Sequence, residues 1–178
     1  MFPLHDAVYI TAPSPKFLKD KVELSDIAAA LSIGDTLLER KLPVEIINAG
    51  LNTLIVPIKT LEDEISMYPD EQRLREFCLK QGIDIVLVFS METASSCQIA
   101  HTRVFAPKFG YLEDPATGSG NSAFANYMLK HGLWNGSDCS VEQGGQDRIF
   151  NSVKLGLADG RVVFGGSSTT RISGTYFI

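Results

Sequence analysis

From Ile83 the chain reads IDIVLVFS, a nearly unbroken apolar run too short for a helix, and the pattern predicts a strand buried on both faces. The segment that follows, CQIAHTRVFAP, alternates apolar and polar positions and predicts a half-buried strand. Upstream, PVEIINAG and LNTLIVPIK are two β runs that meet at Gly50-Leu51-Asn52, the signature of a hairpin or tight bend. The chain opens with another short strand over Ala7 to Thr11, which the proline-punctuated APSPKF ends. Further strands are predicted over Asp138 to Gln143, Ser152 to Ala158, Arg161 to Phe164 and Thr169 to Phe177. Ala158-Asp159-Gly160 supplies the hairpin turn between the second and third of these.

Helical spacing is found in four places. Ser25 to Leu31 begins with a capping serine, and the pattern extends a further turn through Leu37 and Leu38. TLEDEISMY and PDEQRLREFCLKQG read as two more helices, the latter with proline at its start and Gly82 at its end. Their acidic runs, LEDEI and DEQRLRE, read as exposed faces with i,i+4 pairs. GSGNSAFANYMLKHG, from Gly118 to Gly132, has hardly any polar face among Ala123, Phe124, Ala125, Tyr127, Met128 and Leu129. It therefore predicts a helix buried nearly all round. Strands outnumber helices without regular βαβ alternation, which points to the α+β class, and no repeat or long linker divides the main domain.

Composition narrows the classes of partner. The 178 residues are 44% hydrophobic and 21% charged, enough for a real core in one domain or slightly more. A net charge of −5 offers no basic footprint for nucleic acid or an anionic membrane, so a small molecule or a protein is the expected partner. The three cysteines, Cys78, Cys97 and Cys139, are widely spaced, with neither a CxxC pair nor a His/Cys cluster, and predict neither a disulfide frame nor a metal site. With no signal-peptide pattern and no apolar run of bilayer length, the expected location is the cytoplasm.

Candidate chemistry concentrates in GYLEDPATGSGN, Gly110 to Asn121. The small residues opening the buried helix keep Cβ atoms away from its start. The backbone N–H groups of Gly118, Ser119 and Gly120 then lie open to a carboxylate or phosphate at the positive end of the helix dipole, with Thr117 as N-cap. Asp114 stands just before them, its backbone restricted by Pro115. A carboxylate beside a bound acid group is suited to moving a proton near it. From these residues alone an ordinary loop, with Asp114 as a cap and the glycines as turn formers, remains the alternative.

TRVFAPKFGYLEDPATGSGNSA resembles the signature of the PhzF-like isomerases of phenazine biosynthesis, which share the diaminopimelate epimerase fold. VEIINAGLNTLIVPIKTLEDEISMYPD resembles that family's strand–Gly–strand entry to its second half, and VEQGGQDR its later QG-containing segment. The resemblance implies two similar halves, each a mixed β-sheet wrapped around a central helix, facing one another across a cleft. This chain would supply the second half over residues 23–178, with 1–22 as the remnant of a crossover. It implies that Asp114 is the catalytic cleft aspartate and that Gly118 and Ser119 hold a substrate carboxylate by their backbone N–H groups. A cysteine stands at the place of Asp114 in the epimerase relatives, so a two-thiol racemase is not expected. Gly120-Asn121-Ser122 departs from the Ala-His-Cys of many members. The family's general acid/base glutamate would lie in an N-terminal half outside this chain.

The resulting expectation is an isomerase or epimerase acting by proton transfer on a small carboxylic acid, without metal, nucleotide or flavin. Its second acid/base would come from the N-terminal half as a separate chain, from another subunit, or from sequence lost from this chain. The alternative is a non-catalytic small-anion-binding or interaction domain of the same fold, with a homodimer covering the exposed cleft face. Acyl or phosphoryl transfer by Ser119 is a third class, for which TGSGN is only a loose nucleophile elbow. Arg103 either helps bind the acid and steady Asp114 or is a solvated strand residue. His101 reads as structural rather than basic, Glu92 and Glu45 as solvated acids, and Arg148 as a cleft residue or a surface ion-pair partner.

Overall fold

The computed structural model describes residues 7–19, 21–167 and 172–175. Ten strands form one mixed sheet: β1 (Val8–Thr11), β2 (Lys16–Phe17), β3 (Glu45–Asn48), β4 (Asn52–Pro57), β5 (Ile85–Ser90), β6 (His101–Phe105), β7 (Glu113–Asp114), β8 (Cys139–Gln143), β9 (Asn151–Ala158) and β10 (Arg161–Gly166). The order is β1-β10-β9-β8-β6-β5-β4-β3-β2, with β7 paired to β6 beside this path. Pairs β4–β5 and β6–β8 are parallel and the remainder antiparallel.

The connection between β1 and β2 forces the sheet to curl. Laid flat, nine strands would put the two edges roughly 38 Å apart at ordinary strand spacing. Residues Ala12 to Pro15 join those edges directly and reach about 18 Å at full stretch. The sheet therefore wraps, and its concave face encloses α4 (Gly118–Lys130). Phe124, Tyr127 and Met128 of that helix pack with Ile47, Ile55, Leu87 and Leu155 in one core. At its centre the Phe89 ring lies 4.6 Å from Phe124 and 5.5 Å from Tyr127, centroid to centroid. The Tyr127 hydroxyl donates to the Pro43 carbonyl at 2.7 Å.

A second core lies on the convex face, where α1 (Leu24–Ala30) and α3 (Glu71–Gln81) cover β3, β4 and β5 through Ile27, Leu31, Leu74 and Cys78. β5 is thus buried on both faces as expected, with Leu87 and Phe89 toward α4, and Val86 and Val88 toward the helices outside. α2 (Leu61–Ser66) is N-capped by Thr60, which accepts from the Asp63 N–H, and α3 by Asp70, which accepts from that of Arg73. Gly82 closes α3 in the left-handed conformation, and Asp159 and Gly160 both take positive φ in the β9–β10 turn.

Two expectations are corrected. α1 begins at Leu24, so Ser25 lies inside it and caps nothing; Ser32, at φ 58°, ends the helical course, leaving Leu37 in a separate 3-10 turn over Asp35–Leu37. β6 is buried along its whole length instead of half-buried, because α2 and the loop after β8 cover its polar side. The strand expected over Thr169 to Phe177 falls largely outside the described residues, and 172–175 have no regular structure. Phe89→Ala is expected to cost about 3–5 kcal/mol in denaturant unfolding, and Phe89→Leu much less, because only the former opens a cavity between α4 and the sheet.

Candidate functional site

β7 places Asp114 against β6, opposite Val104, and the chain then turns through exposed Pro115 and Ala116 into α4. Thr117 occupies the N-cap position with extended geometry, as expected, but its hydroxyl caps nothing. It donates instead to Asp114 Oδ2. Among the described residues, the N–H groups of Gly118, Ser119 and Gly120 have no acceptor, so three donors stand free at the positive end of a 13-residue helix. Asp114, Thr117 and Ser119 line a cavity of about 150 Å³, whose other walls are Leu51, Ile85, Val104, Ala106, Phe109 and Tyr111.

Packing explains the glycines on either side of Ser119. A Cβ on Gly118 would sit 2.2 Å from the Phe164 ring, and one on Gly120 would press at 3.3 Å on Ile85. Gly118 therefore opens toward a neighbouring groove that includes Phe164 and Asn151, and Gly120 is buried against the core. Of the three, only Ser119 shares the cavity with Asp114.

The residue that organises this turn is Gln143, at the end of β8 and fully buried. Its side-chain oxygen accepts from the Thr117 N–H at 2.9 Å and from Asn121 Nδ2 at 2.7 Å. Its nitrogen donates to the Asp114 carbonyl at 2.6 Å and to Thr117 Oγ1 at 3.2 Å. In the sequence, Gln143 stands out only as part of VEQGGQDR, a segment that resembles the family. The polar Gln143 at the end of an otherwise strand-like run was the available signal.

Arg103 is not the solvated strand residue that was one of its expected roles, and it makes no hydrogen bond to Asp114. It is 1% exposed and lines a separate cavity of about 390 Å³ with Tyr68, Gly145 and Asn151, away from Asp114. Its Nε and Nη2 make a bidentate pair with Glu113, at 2.9 and 2.8 Å, and Nη1 donates to the carbonyls of Glu64, Ile65 and Met67. α2 has no basic residue in its last turn, and Arg103 supplies the missing cation from β6.

A buried pair lies beside it. His101 Nδ1 is 3.2 Å from Glu64 Oε1, both side chains being shut off from water, with Phe150 edge-on to the imidazole at 4.8 Å. Burial holds His101 down to about 4, helped by the Arg103 charge. Burial also pushes Glu64 well above the usual carboxylate range, against the opposing pull of Arg103. His101, held down in this way and shut off from the Asp114 cavity, is a structural residue and no base for Ser119.

The sequence profile of the family described as "Phenazine biosynthesis-like protein" matches residues 4–174. This chain belongs to the PhzC-PhzF family. "Uncharacterized isomerase YfhB" of Bacillus subtilis is 29% identical over 163 residues, covering 91% of this chain and 54% of that protein. "Trans-2,3-dihydro-3-hydroxyanthranilate isomerase" of Pseudomonas chlororaphis is 25% identical over 136 residues, 74% of this chain and 40% of that one. Among solved structures, the PhzF-family phenazine biosynthesis protein of Bacillus anthracis superposes with a TM-score of 0.79 at 20% identity, over 90% of this chain and 57% of that one. The PhzF-family protein of Enterococcus faecalis gives 0.65 at 18% identity, over 98% and 59%. The fold is thus the α+β, diaminopimelate epimerase-like fold of the PhzF family. The chain spans about half the length of the curated relatives it matches.

Other candidates of this PhzF-family chain lie away from the cavity. Arg148 pairs with Glu62 at the surface at 2.8 Å, and exposed Glu92 accepts from the Leu61 N–H at the start of α2. Glu45 is half-buried instead of solvated, bound to Lys130 at 2.6 Å near the C-terminal end of α4. Among the described residues no histidine lines the Asp114 cavity, none of the three cysteines is bonded, and no group of three His, Cys, Asp or Glu is placed to hold a metal. None of the described helices is long and apolar enough to cross a membrane.

Linkage theory fixes the sign of the pH dependence at the buried pair. With its folded value raised, Glu64 favours folding fully below its unfolded value near 4.5, and that contribution is lost as pH rises through the folded value. His101, depressed, favours folding above 6.5, and its contribution is lost as pH falls toward 4. Glu64→Gln, a neutral mimic of the protonated acid, is expected to unfold at higher denaturant than wild type at pH 8. The gain should shrink toward pH 4.5; a gain independent of pH would contradict a protonated Glu64.

Proposed function

We propose that this chain forms one side of a proton-transfer site and works as an isomerase on a small carboxylic acid. The observation that carries this reading is the meeting, in one cavity at a helix start, of a carboxylate with a free oxygen and the Ser119 N–H, which has no acceptor. The Ser119 N–H, which shares the cavity with Asp114, would hold the substrate carboxylate, with the flanking Gly118 and Gly120 N–H groups adding to the positive end of the helix dipole. Asp114 would then take a proton from, or return one to, the neighbouring carbon skeleton. The apolar walls of the cavity keep water from the substrate body and strengthen each of these interactions.

A two-way proton shift needs a second acid/base on the opposite side of the substrate. The first half of the fold, on this polypeptide or on a separate chain, or another subunit would supply it. The names of the relatives, isomerases throughout, support the reaction class. A second reading is a small-anion-binding or interaction domain that has kept the pocket without turnover, which the acceptor-free N–H groups at the helix start support equally. Neither reading uses Arg103, which bonds Glu113 and the end of α2 and does not reach Asp114.

Solvent deuterium incorporation into small carboxylic acids, read by mass spectrometry, separates the two. For the isomerase, Asp114→Asn should lower incorporation by about 10²–10⁴-fold with ligand binding retained. Ser119→Pro, tolerated in a first helical turn, removes one N–H and should weaken binding about tenfold. An Asp114→Asn protein that exchanges deuterium at the wild-type rate sinks the isomerase reading. Binding without any exchange by the wild type, even with a first-half chain added, favours the anion-binding domain.

A further inference from the structure

The backbone dictates which way the Gln143 amide faces. The Thr117 N–H can only donate, so the Gln143 atom it meets at 2.9 Å is oxygen; the Asp114 carbonyl can only accept, so the atom 2.6 Å from it is nitrogen. The same nitrogen donates to Thr117 Oγ1 at 3.2 Å. A hydroxyl has a single proton. With a donor already aimed at its oxygen, Thr117 turns that proton toward Asp114 Oδ2, its other hydrogen-bond partner. The donors therefore run in one direction, from Gln143 through Thr117 to Asp114. Asn121, which donates to both the Gln143 oxygen and the Thr117 carbonyl, ties the relay to the first turn of α4.

We propose that Gln143 is a positioning residue for Asp114: acting through Thr117, it holds Oδ2 as a hydrogen-bond acceptor and leaves Oδ1 as the oxygen that exchanges a proton with a ligand. This rests on the reading of Asp114 as the proton carrier. Among the described residues no protein donor reaches Oδ1. Tyr111 is the other titratable side chain of the cavity wall, and Glu113, next to Asp114 on β7, is turned to Arg103; neither donates to Asp114. The arrangement divides the labour of one carboxylate between its two oxygens. It also places the control of that division on a strand that is 29 residues away in sequence.

The test needs no substrate. In protein labelled with ¹³C at the aspartate carboxyl carbons, the Asp114 resonance at neutral pH reports the donor on its carboxylate. Thr117→Val keeps the side-chain shape and removes the donor; Gln143→Met keeps the length and removes the amide. The Asp114 resonance is expected to move upfield in both and to return in Thr117→Ser, while that of Asp159, in the distant β9–β10 turn, stays in place. An unmoved Asp114 resonance in Thr117→Val overturns the proposal. So does an unmoved one in a Gln143→Met protein that keeps the wild-type amide spectrum, since Gln143 is then a helix cap and nothing more. If Gln143→Met does not fold, Thr117→Val decides alone. Deuterium exchange that survives Asp114→Asn removes the proton carrier and the positioning role with it, whatever the resonance does. Exchange that depends on Asp114 while the resonance is unmoved overturns the relay and leaves the proposed function standing.

Discussion

Helix α4 has almost no polar face, and water must be kept from nearly its whole circumference. One sheet does this, because the short link between β1 and β2 draws its edges together. Covering the helix on every side has a local consequence. Side chains near its start are dictated by packing, with Gly118 under Phe164 and Gly120 against Ile85, so the N-terminal N–H groups have no side chain above them to accept their hydrogen bonds. The free donors that characterise the candidate site are thus a by-product of the way the helix is enclosed.

The polar groups around β6 are kept apart by the same enclosure. On one side Arg103 serves Glu113 and the end of α2, with the buried His101–Glu64 pair beside it. On the other side Asp114 faces an apolar cavity through Thr117. Burying an arginine with its donors filled stabilises without leaving an uncompensated charge, whereas a carboxylate with one oxygen free keeps chemical potential for a ligand. Two adjacent acids on β7, Glu113 and Asp114, acquire opposite functions because successive residues of a strand face opposite ways.

Much of this was legible beforehand. The continuous apolar run of β5, the apolar circumference of α4, the hairpin at Gly50 and the Asp159-Gly160 turn each follow from local rules that the structure obeys. Asp114, Thr117 and Ser119 could be grouped in advance because they are neighbours in the chain. Arg103 and Gln143 could not. The alternation that made β6 look half-exposed is real, but the layer covering its polar side comes from α2 and from the loop after β8, and no local pattern reveals that cover.

What the sequence determined by itself is most of the longer elements, the α+β class, the helix start rich in small residues and the carboxylate placed before it, since all of these depend on residues within a few positions of each other. Tertiary structure alone decided that Gln143 closes on Asp114 and Thr117, that Arg103 turns away from them, and that His101 and Glu64 share a dry site. The physical reason is range. A hydrogen bond joins atoms about 3 Å apart whatever their separation along the chain, so the partners of a buried polar group are known only once the sheet has curled around its helix.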